Sequence, residues 1–422
     1  MNNIQSEAEV LKKYRPLGIA AGMGSVLGSG IIVGMSATIT VWKVGLHLTN
    51  GEVGIISGAL TFAIAIGSML AGWVTEKFGL VRAFNWINFV YAIGAIICVL
   101  APNFTVLLIG AIWTGFASGL DLPISLTIIS YDSPDDRTSS KLVASTQIFW
   151  QIGVFASYGA AFVVSTMKGA SGARIVFACL AIFALIIWVW RTFSKKFKVL
   201  HDAGQIRRQK SETESENIAK VSVKSVLFGE NKKTYLQIFS SIMIFYICWN
   251  LLANTFGQFQ TFMLVQADAS QTFATGSGLI LNFISLFAAM LFARVAGGRY
   301  RNKFFVIGMI VQFVSMLSLA LLSHELWPIV IAIGTMSIGS NIAGEAIYKV
   351  WTQEAFPVEI RSSLQGFIGG FSRFICGLFA FVTPALVVQS VMKTTMLAFA
   401  GMIVVAFIAG LFMVQSEKNL RK

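Results

Sequence analysis

Twelve apolar runs organise the chain, each of the order of the ~20 helical residues that cross a ~30 Å hydrocarbon core. They fall at 17–42, 53–75, 83–101, 104–131, 142–167 and 174–193, and after a polar gap at 235–263, 273–293, 303–322, 326–352, 364–390 and 393–414. This pattern predicts an all-α integral membrane protein, with twelve transmembrane helices in two pseudo-symmetric six-helix bundles. The expected boundaries are 1–193 for the N-terminal bundle, 194–233 for a cytoplasmic linker and 234–422 for the C-terminal bundle.

Composition agrees. Of the 422 residues 56% are hydrophobic and 12% charged, against ~25% charged in soluble domains, too few to cover a water-exposed surface of this size. The net charge of +13 does not indicate nucleic acid, because Lys and Arg cluster in short segments between the apolar runs. Only Lys43, Lys168, Arg174 and Lys393 lie on the side opposite the N-terminus, and Lys349 and Arg373 fall inside runs; the other bases of the 32 share the N-terminal side. That asymmetry places both termini and the central loop in the cytoplasm of a multi-pass inner-membrane protein. The run at 17–42 is too long for a signal-peptide core. Cys98, Cys179, Cys248 and Cys376 sit apart within apolar runs, without metal spacing or a disulfide framework. The stretch 194–233, with Lys195, Lys196, Lys198, Arg207, Arg208 and a Ser/Glu-rich piece, reads as a solvated linker.

The halves echo one another. The fourth run ends in Asp132-Ser-Pro134-Asp-Asp-Arg137 and the tenth in Glu354-Ala-Phe-Pro357-Val-Glu359-Ile-Arg361. An acid, a proline and an arginine thus close the equivalent helix of each half, as expected when two related bundles rock about a midplane site.

Between the second and third runs stands Gly72-Trp-Val-Thr-Glu76-Lys77-Phe-Gly79-Leu-Val-Arg82, which resembles the cytoplasmic signature of the major facilitator superfamily. The resemblance implies a close helix approach at Gly72 and a conformational latch built on Glu76, with Lys77, Gly79, Arg82, Asp132, Arg137, Glu354 and Arg361 as its other members. The segment from Glu354 to Arg361 looks like the sugar porter branch. Lys141-Leu-Val-Ala-Ser-Thr-Gln147 is similar to the opening of that branch's fifth helix, which implies that Gln147 reaches substrate. Gly119-Leu-Asp121-Leu-Pro123 and Gly344-Glu345-Ala-Ile-Tyr348-Lys349-Val-Trp351 look most like bacterial inositol-type permeases; by position Lys349 falls where sugar porters place a substrate-contacting Trp, with Trp351 two residues on. The proton switch of those porters, an Asp in the first helix and an Arg in the fourth, is absent: the positions read Leu27-Gly28-Ser29-Gly30 and Gly110-Ala-Ile-Trp113.

An ionisable group at the bilayer centre costs ~2.5–3.5 kcal/mol on insertion scales and usually faces a cavity. At 1.5 Å rise per residue, Asp121, Glu345 and Arg373 lie roughly 13–16 Å deep. Glu345 and Lys349, at i and i+4, share one face and can pair. Two readings stay open for this charge network of Asp121, Glu345, Lys349 and Arg373. It couples protons from one cavity, or it is structural, with Glu345, Lys349 and Arg373 a static buried network and Asp121 capping a half-helix opened at Pro123. Neutral recognition falls to amides, which both donate and accept hydrogen bonds as polyol hydroxyls require. Gln147 and Gln151 are one turn apart, Asn250, Asn254 and Gln258 form a stripe, and Asn341 adds another; Trp150 and Trp249 could stack on a sugar face. The same amides could instead glue helices together.

The expected activity is alternating-access movement of a sugar or cyclic polyol, coupled to protons through Asp121 or Glu345. A small-organic-acid carrier using Lys349 or Arg373, and a membrane sensor that binds without translocating, are the alternatives. Drug efflux would favour an apolar cavity over amides. No enzyme is expected, since His47, His201 and His324 show no nucleophile–base or metal constellation. Neither cofactor nor metal is implied, and the partners expected are substrate, protons and the bilayer around a monomer.

Overall fold

A computed structural model describes residues 7–215, 232–295, 300–322, 326–356 and 358–420. Among the described residues regular structure is entirely helical. In hydrocarbon each backbone amide must find its partner inside the protein, and a helix satisfies nearly all of them within one segment. The helices are α1 (Glu7–Gly45), α2 (Asn50–Phe78), α3 (Leu80–Leu100), α4 (Phe104–Asp132), α5 (Asp136–Val163), α6 (Ser171–Phe193) and α7 (Lys195–Ser215), then α8 (Lys232–Gln266), α9 (Gln271–Val295), α10 (Arg301–Leu322), α11 (Leu326–Ile342), α12 (Glu345–Ala355), α13 (Val358–Ala380), α14 (Thr383–Leu386) and α15 (Gln389–Leu420). Among the described residues ten spans are long and apolar enough to cross a membrane, and the shorter apolar helices Ile148–Val163 and Phe367–Ala380 join them.

The chain packs as two units, Met1–Leu48 with Ala59–Ile218, and Thr49–Gly58 with Ala219–Lys422. The bounds differ from those read from sequence in two ways. The opening turns of α2 group with the second unit, and the region taken as solvated linker begins with α7, which belongs to the first. Phe197, Leu200 and His201 of α7 are buried; this apolar face is short and interrupted by bases, so hydropathy alone passes over it.

In the first unit α1 packs on α5, α4 and α6, while α3 packs on α4 and α6. Small residues permit the close approaches: a side chain at Gly22 would strike the Phe149 ring, and one at Gly153 would meet Ser29 and the Val26 backbone. Packing rather than hydrophobicity holds helices together in lipid, so such contacts matter. In the second unit α8 packs on α15 and α13, and α10 on α11 and α15.

Two proline- or glycine-marked positions behave differently. α4 runs unbroken through Pro123, so Asp121 does not cap a half-helix. Proline removes the N–H that Gly119 O would accept, and Ser68 Oγ of α2 donates to that carbonyl instead at 3.0 Å. The tenth apolar run, by contrast, is split: α11 ends at Ile342 and α12 starts at Glu345. A side chain at Gly344 would strike Ser340 O and the Trp249 indole. The Gln312 amide of α10 donates to the carbonyls of Gly339 at 3.3 Å and Ala343 at 3.2 Å. Gly339 O also accepts from Ala343 N at 2.8 Å, so the oxygen that the break leaves to Gln312 is that of Ala343.

Candidate functional site

The charged residues within the apolar runs form two separate clusters, one in each unit. In the first, Asp121 Oδ1 of α4 lies 2.7 Å from Arg191 Nη1 in the last turn of α6. The guanidinium also donates to Ala20 O from Nη2 at 2.7 Å and Nε at 3.2 Å, and to Phe84 O from Nη1 at 3.0 Å. Its Cζ sits 4.0 Å from the Phe84 ring centroid, and Ser125 Oγ donates to Asp121 Oδ1 at 3.2 Å. Only glycine fits opposite, since a Cβ at Gly24 would fall on Asp121 Oδ2. The two side chains are 0% and 5% exposed. Arg191, counted by sequence among the bases on the N-terminal side, is thus a buried partner, and Asp121, expected to couple protons, is enclosed within the first unit. Oδ1 of Asp121 holds both Arg191 and Ser125, while Oδ2 finds no partner among the described residues. Such an enclosed pair is a structural arrangement, because leaving either charge alone is costly.

The second cluster differs in being open. Lys349 Nζ pairs with Glu345 Oε1 at 2.8 Å while the side chains keep 44% and 46% of their surface exposed. Glu345 opens α12 at the helix break, where the helix N-terminus favours a carboxylate. Arg373 of α13 is half-buried and acts electrostatically on Glu345, Tyr246 and Tyr348. Beside them Tyr246 stacks on Tyr348 with centroids 3.9 Å apart and on Trp249 at 5.6 Å. The Trp249 indole donates to Ser340 Oγ at 2.9 Å, which fixes its plane.

The amides divide. Asn250 donates to Ser372 Oγ at 2.9 Å and Gln258 to Asn254 Oδ1 at 3.0 Å; Asn341 donates back to Ser337 O within its own helix at 2.8 Å. Asn250, Asn254, Asn341 and, on α5, Gln151 are half-buried and keep accessible surface, whereas Gln258 is buried. Trp351 is a correction: it is 0% exposed and packed between Phe245 at 5.0 Å and Phe305 at 5.2 Å, out of reach of any substrate. Trp351→Ala is expected to cost about 3–5 kcal/mol by leaving a cavity, read as a lower melting temperature in detergent with unchanged apparent KM.

Of the latch residues, Glu76, Lys77 and Arg82 are exposed, with Lys77 Nζ 4.9 Å from the Trp73 ring centroid. Gly79 adopts φ 84°, which glycine alone adopts readily, and turns the chain into α3. Among the described residues nothing lies within 4 Å of where a Cβ at Gly72 would sit. Asp132 is buried against His201 Nδ1. The side chains of Arg137, Gln147, Glu354 and Arg361 lie outside the described residues.

Residues 18–380 match the Major Facilitator Superfamily. The chain belongs to that family. The minor myo-inositol transporter IolF of Bacillus subtilis (strain 168) is 28% identical over 399 residues, covering 93% of this chain and 89% of that protein. The niacin transporter NiaP of Acinetobacter baylyi is 27% identical over 132 residues, 31% of this chain and 29% of that one. Among solved structures, a D-xylose-proton symporter superposes with a TM-score of 0.76 at 15% identity, covering 94% of this chain and 96% of that one. The nucleoside transporter NupG gives a TM-score of 0.67 at 18% identity, covering 94% and 99%. The family match and these likenesses establish the twelve-helix facilitator fold of a multi-pass membrane transporter.

Arg191, Gln312, Tyr246 and Tyr348 are the residues sequence reading passed over. An arginine inside the apolar run 174–193 was the available signal for the first. A glutamine in the middle of the apolar run 303–322 was the signal for the second.

Proposed function

We propose that this protein moves a cyclic polyol of the inositol type across the cytoplasmic membrane by alternating access, as a monomer with both termini in the cytoplasm. The observation that carries the reading is the open Glu345–Lys349 pair set beside the Tyr246–Tyr348–Trp249 stack and the Asn250 and Asn254 amides. Aromatic faces suit the C–H face of a ring, and amides and a charged pair suit its hydroxyls. Similarity to a myo-inositol transporter over nearly the whole chain supports the same substrate class. Of the two acids, Glu345 is the better proton carrier, since its side chain is accessible whereas Asp121 is enclosed with Arg191.

The test is counterflow of labelled myo-inositol in proteoliposomes, with xylose, glucose and nicotinate as competitors. Saturable counterflow competed by polyols is expected. A second reading, carriage of a small organic acid, is favoured by the accessible Lys349 ammonium and by the partial likeness to a niacin transporter. No polyol counterflow, together with nicotinate exchange that Lys349→Ala abolishes, would establish that reading instead.

A further inference from the structure

A cavity of about 630 Å3 opens in the first unit between the α2–α3 turn, the end of α6 and α7. It shares Lys77, Gly79 and Arg82 with the expected latch, and none of the substrate-binding or proton-coupling residues named above lines it. Three bases, Lys77, Arg82 and Lys198, line it against one acid, Asp202. Arg191 reaches its wall, but that charge is already matched by Asp121.

The opening turn of α3 forms part of the lining. Gly79 precedes it with no side-chain cap, and the first backbone N–H bonded back along the helix is that of Ala83, to Gly79 O at 2.9 Å. Leu80, Val81 and Arg82, whose amides precede that bond, line the cavity, and the first-turn N–H groups of a helix together with its dipole favour an anion. Side chains supply an independent sign. His201 is 6% exposed; its Nδ1 is engaged by Asp132, and its Nε2 finds no partner among the described residues. Asn85 Oδ1 and Thr192 Oγ1, on two other elements lining the same cavity, are likewise unpartnered. Buried polar atoms without partners are rare enough to need an explanation, and here they converge on one basic space.

We propose that this cavity is a binding site for a phosphate-bearing anion, distinct from the transport site. The bases and the α3 amides hold the charged oxygens. Thr192 Oγ1 donates to a phosphate oxygen, Asn85 Oδ1 accepts from a protonated phosphate oxygen, and His201 Nε2 does the same, or donates when the ring carries both protons. A lipid headgroup and a soluble phosphate share this chemistry.

The purified full chain in dodecyl maltoside should be titrated with inorganic phosphate and, separately, with dioctanoyl phosphatidylglycerol, following thermal stabilisation; dioctanoyl phosphatidylcholine, which carries no net charge, serves as control. Saturable stabilisation by either anion, weakened about tenfold by Lys198→Gln, is the expected result; tenfold is ~1.4 kcal/mol. Response to the lipid alone identifies a headgroup site, and response to phosphate identifies a soluble ligand. His201→Asn, which keeps an amide to meet Asp132, should weaken binding without lowering the ligand-free melting temperature as far as a cavity would. No stabilisation by either probe, or stabilisation equal to that by the phosphatidylcholine, or binding undiminished in both Lys198→Gln and Arg82→Gln, overturns the proposal.

Discussion

Arg191→Ala should be the most damaging single substitution in the first unit, lowering stability by about 3–5 kcal/mol. The change strips Asp121 of its partner at 2.7 Å and leaves the Ala20 and Phe84 carbonyls without their donor. A buried carboxylate without a countercharge must then take up a proton or draw in water. Melting of the purified protein in detergent measures the loss. The double variant Asp121→Leu/Arg191→Met should recover most of it, because replacing both partners of a buried pair by apolar groups is often neutral. A single variant that melts like the native protein would show that the enclosed pair does not hold α1, α4 and α6 together. Transport by the double variant then separates roles: coupling that survives in it leaves Asp121 purely structural.

Glu345→Gln should abolish gradient-driven accumulation of substrate while leaving counterflow in place. Gln keeps the shape and an oxygen for Lys349, which approaches Glu345 at 2.8 Å, but it cannot carry a proton. One charge moved across 100 mV corresponds to ~2.3 kcal/mol, so a coupled carrier accumulates substrate about fifty-fold at that potential and an uncoupled one not at all. Uptake by energised vesicles, compared with counterflow in the same preparation, reads the difference. Accumulation undiminished in Glu345→Gln would remove this carboxylate from the coupling mechanism. Loss of counterflow as well would place it in substrate binding instead.

The C-terminal cluster was largely legible because its pieces are local. Glu345 and Lys349 are one helical turn apart, and their pairing follows from the i, i+4 geometry. The Asn250–Asn254–Gln258 stripe follows from the same periodicity, although Gln258 turned out buried. The N-terminal pair was only half legible. Asp121 stood out as an acid in an apolar run, but its partner lies on α6, and an arginine near a helix end reads equally as a base facing lipid headgroups. Trp351 failed for a related reason: sitting two residues from Lys349 puts it on another face of α12, toward Phe245 and Phe305.

The sequence by itself determined that this chain crosses the bilayer about twelve times, as two six-helix halves of a facilitator-type transporter. Hydropathy acts over ~20 residues at a time and needs no knowledge of neighbours. The tertiary structure alone decided which charges are enclosed and which stay accessible, where the tenth run breaks, and that α7 docks to bury Asp132 against His201. Each of these depends on contacts between helices far apart in the chain. Gly24 makes room for Asp121, Ser68 serves the carbonyl that Pro123 leaves open, and Gln312 serves that of Ala343 at the break. In a membrane interior the burial of a charge and the satisfaction of a carbonyl are settled by such neighbours, and no periodicity along one helix reports them.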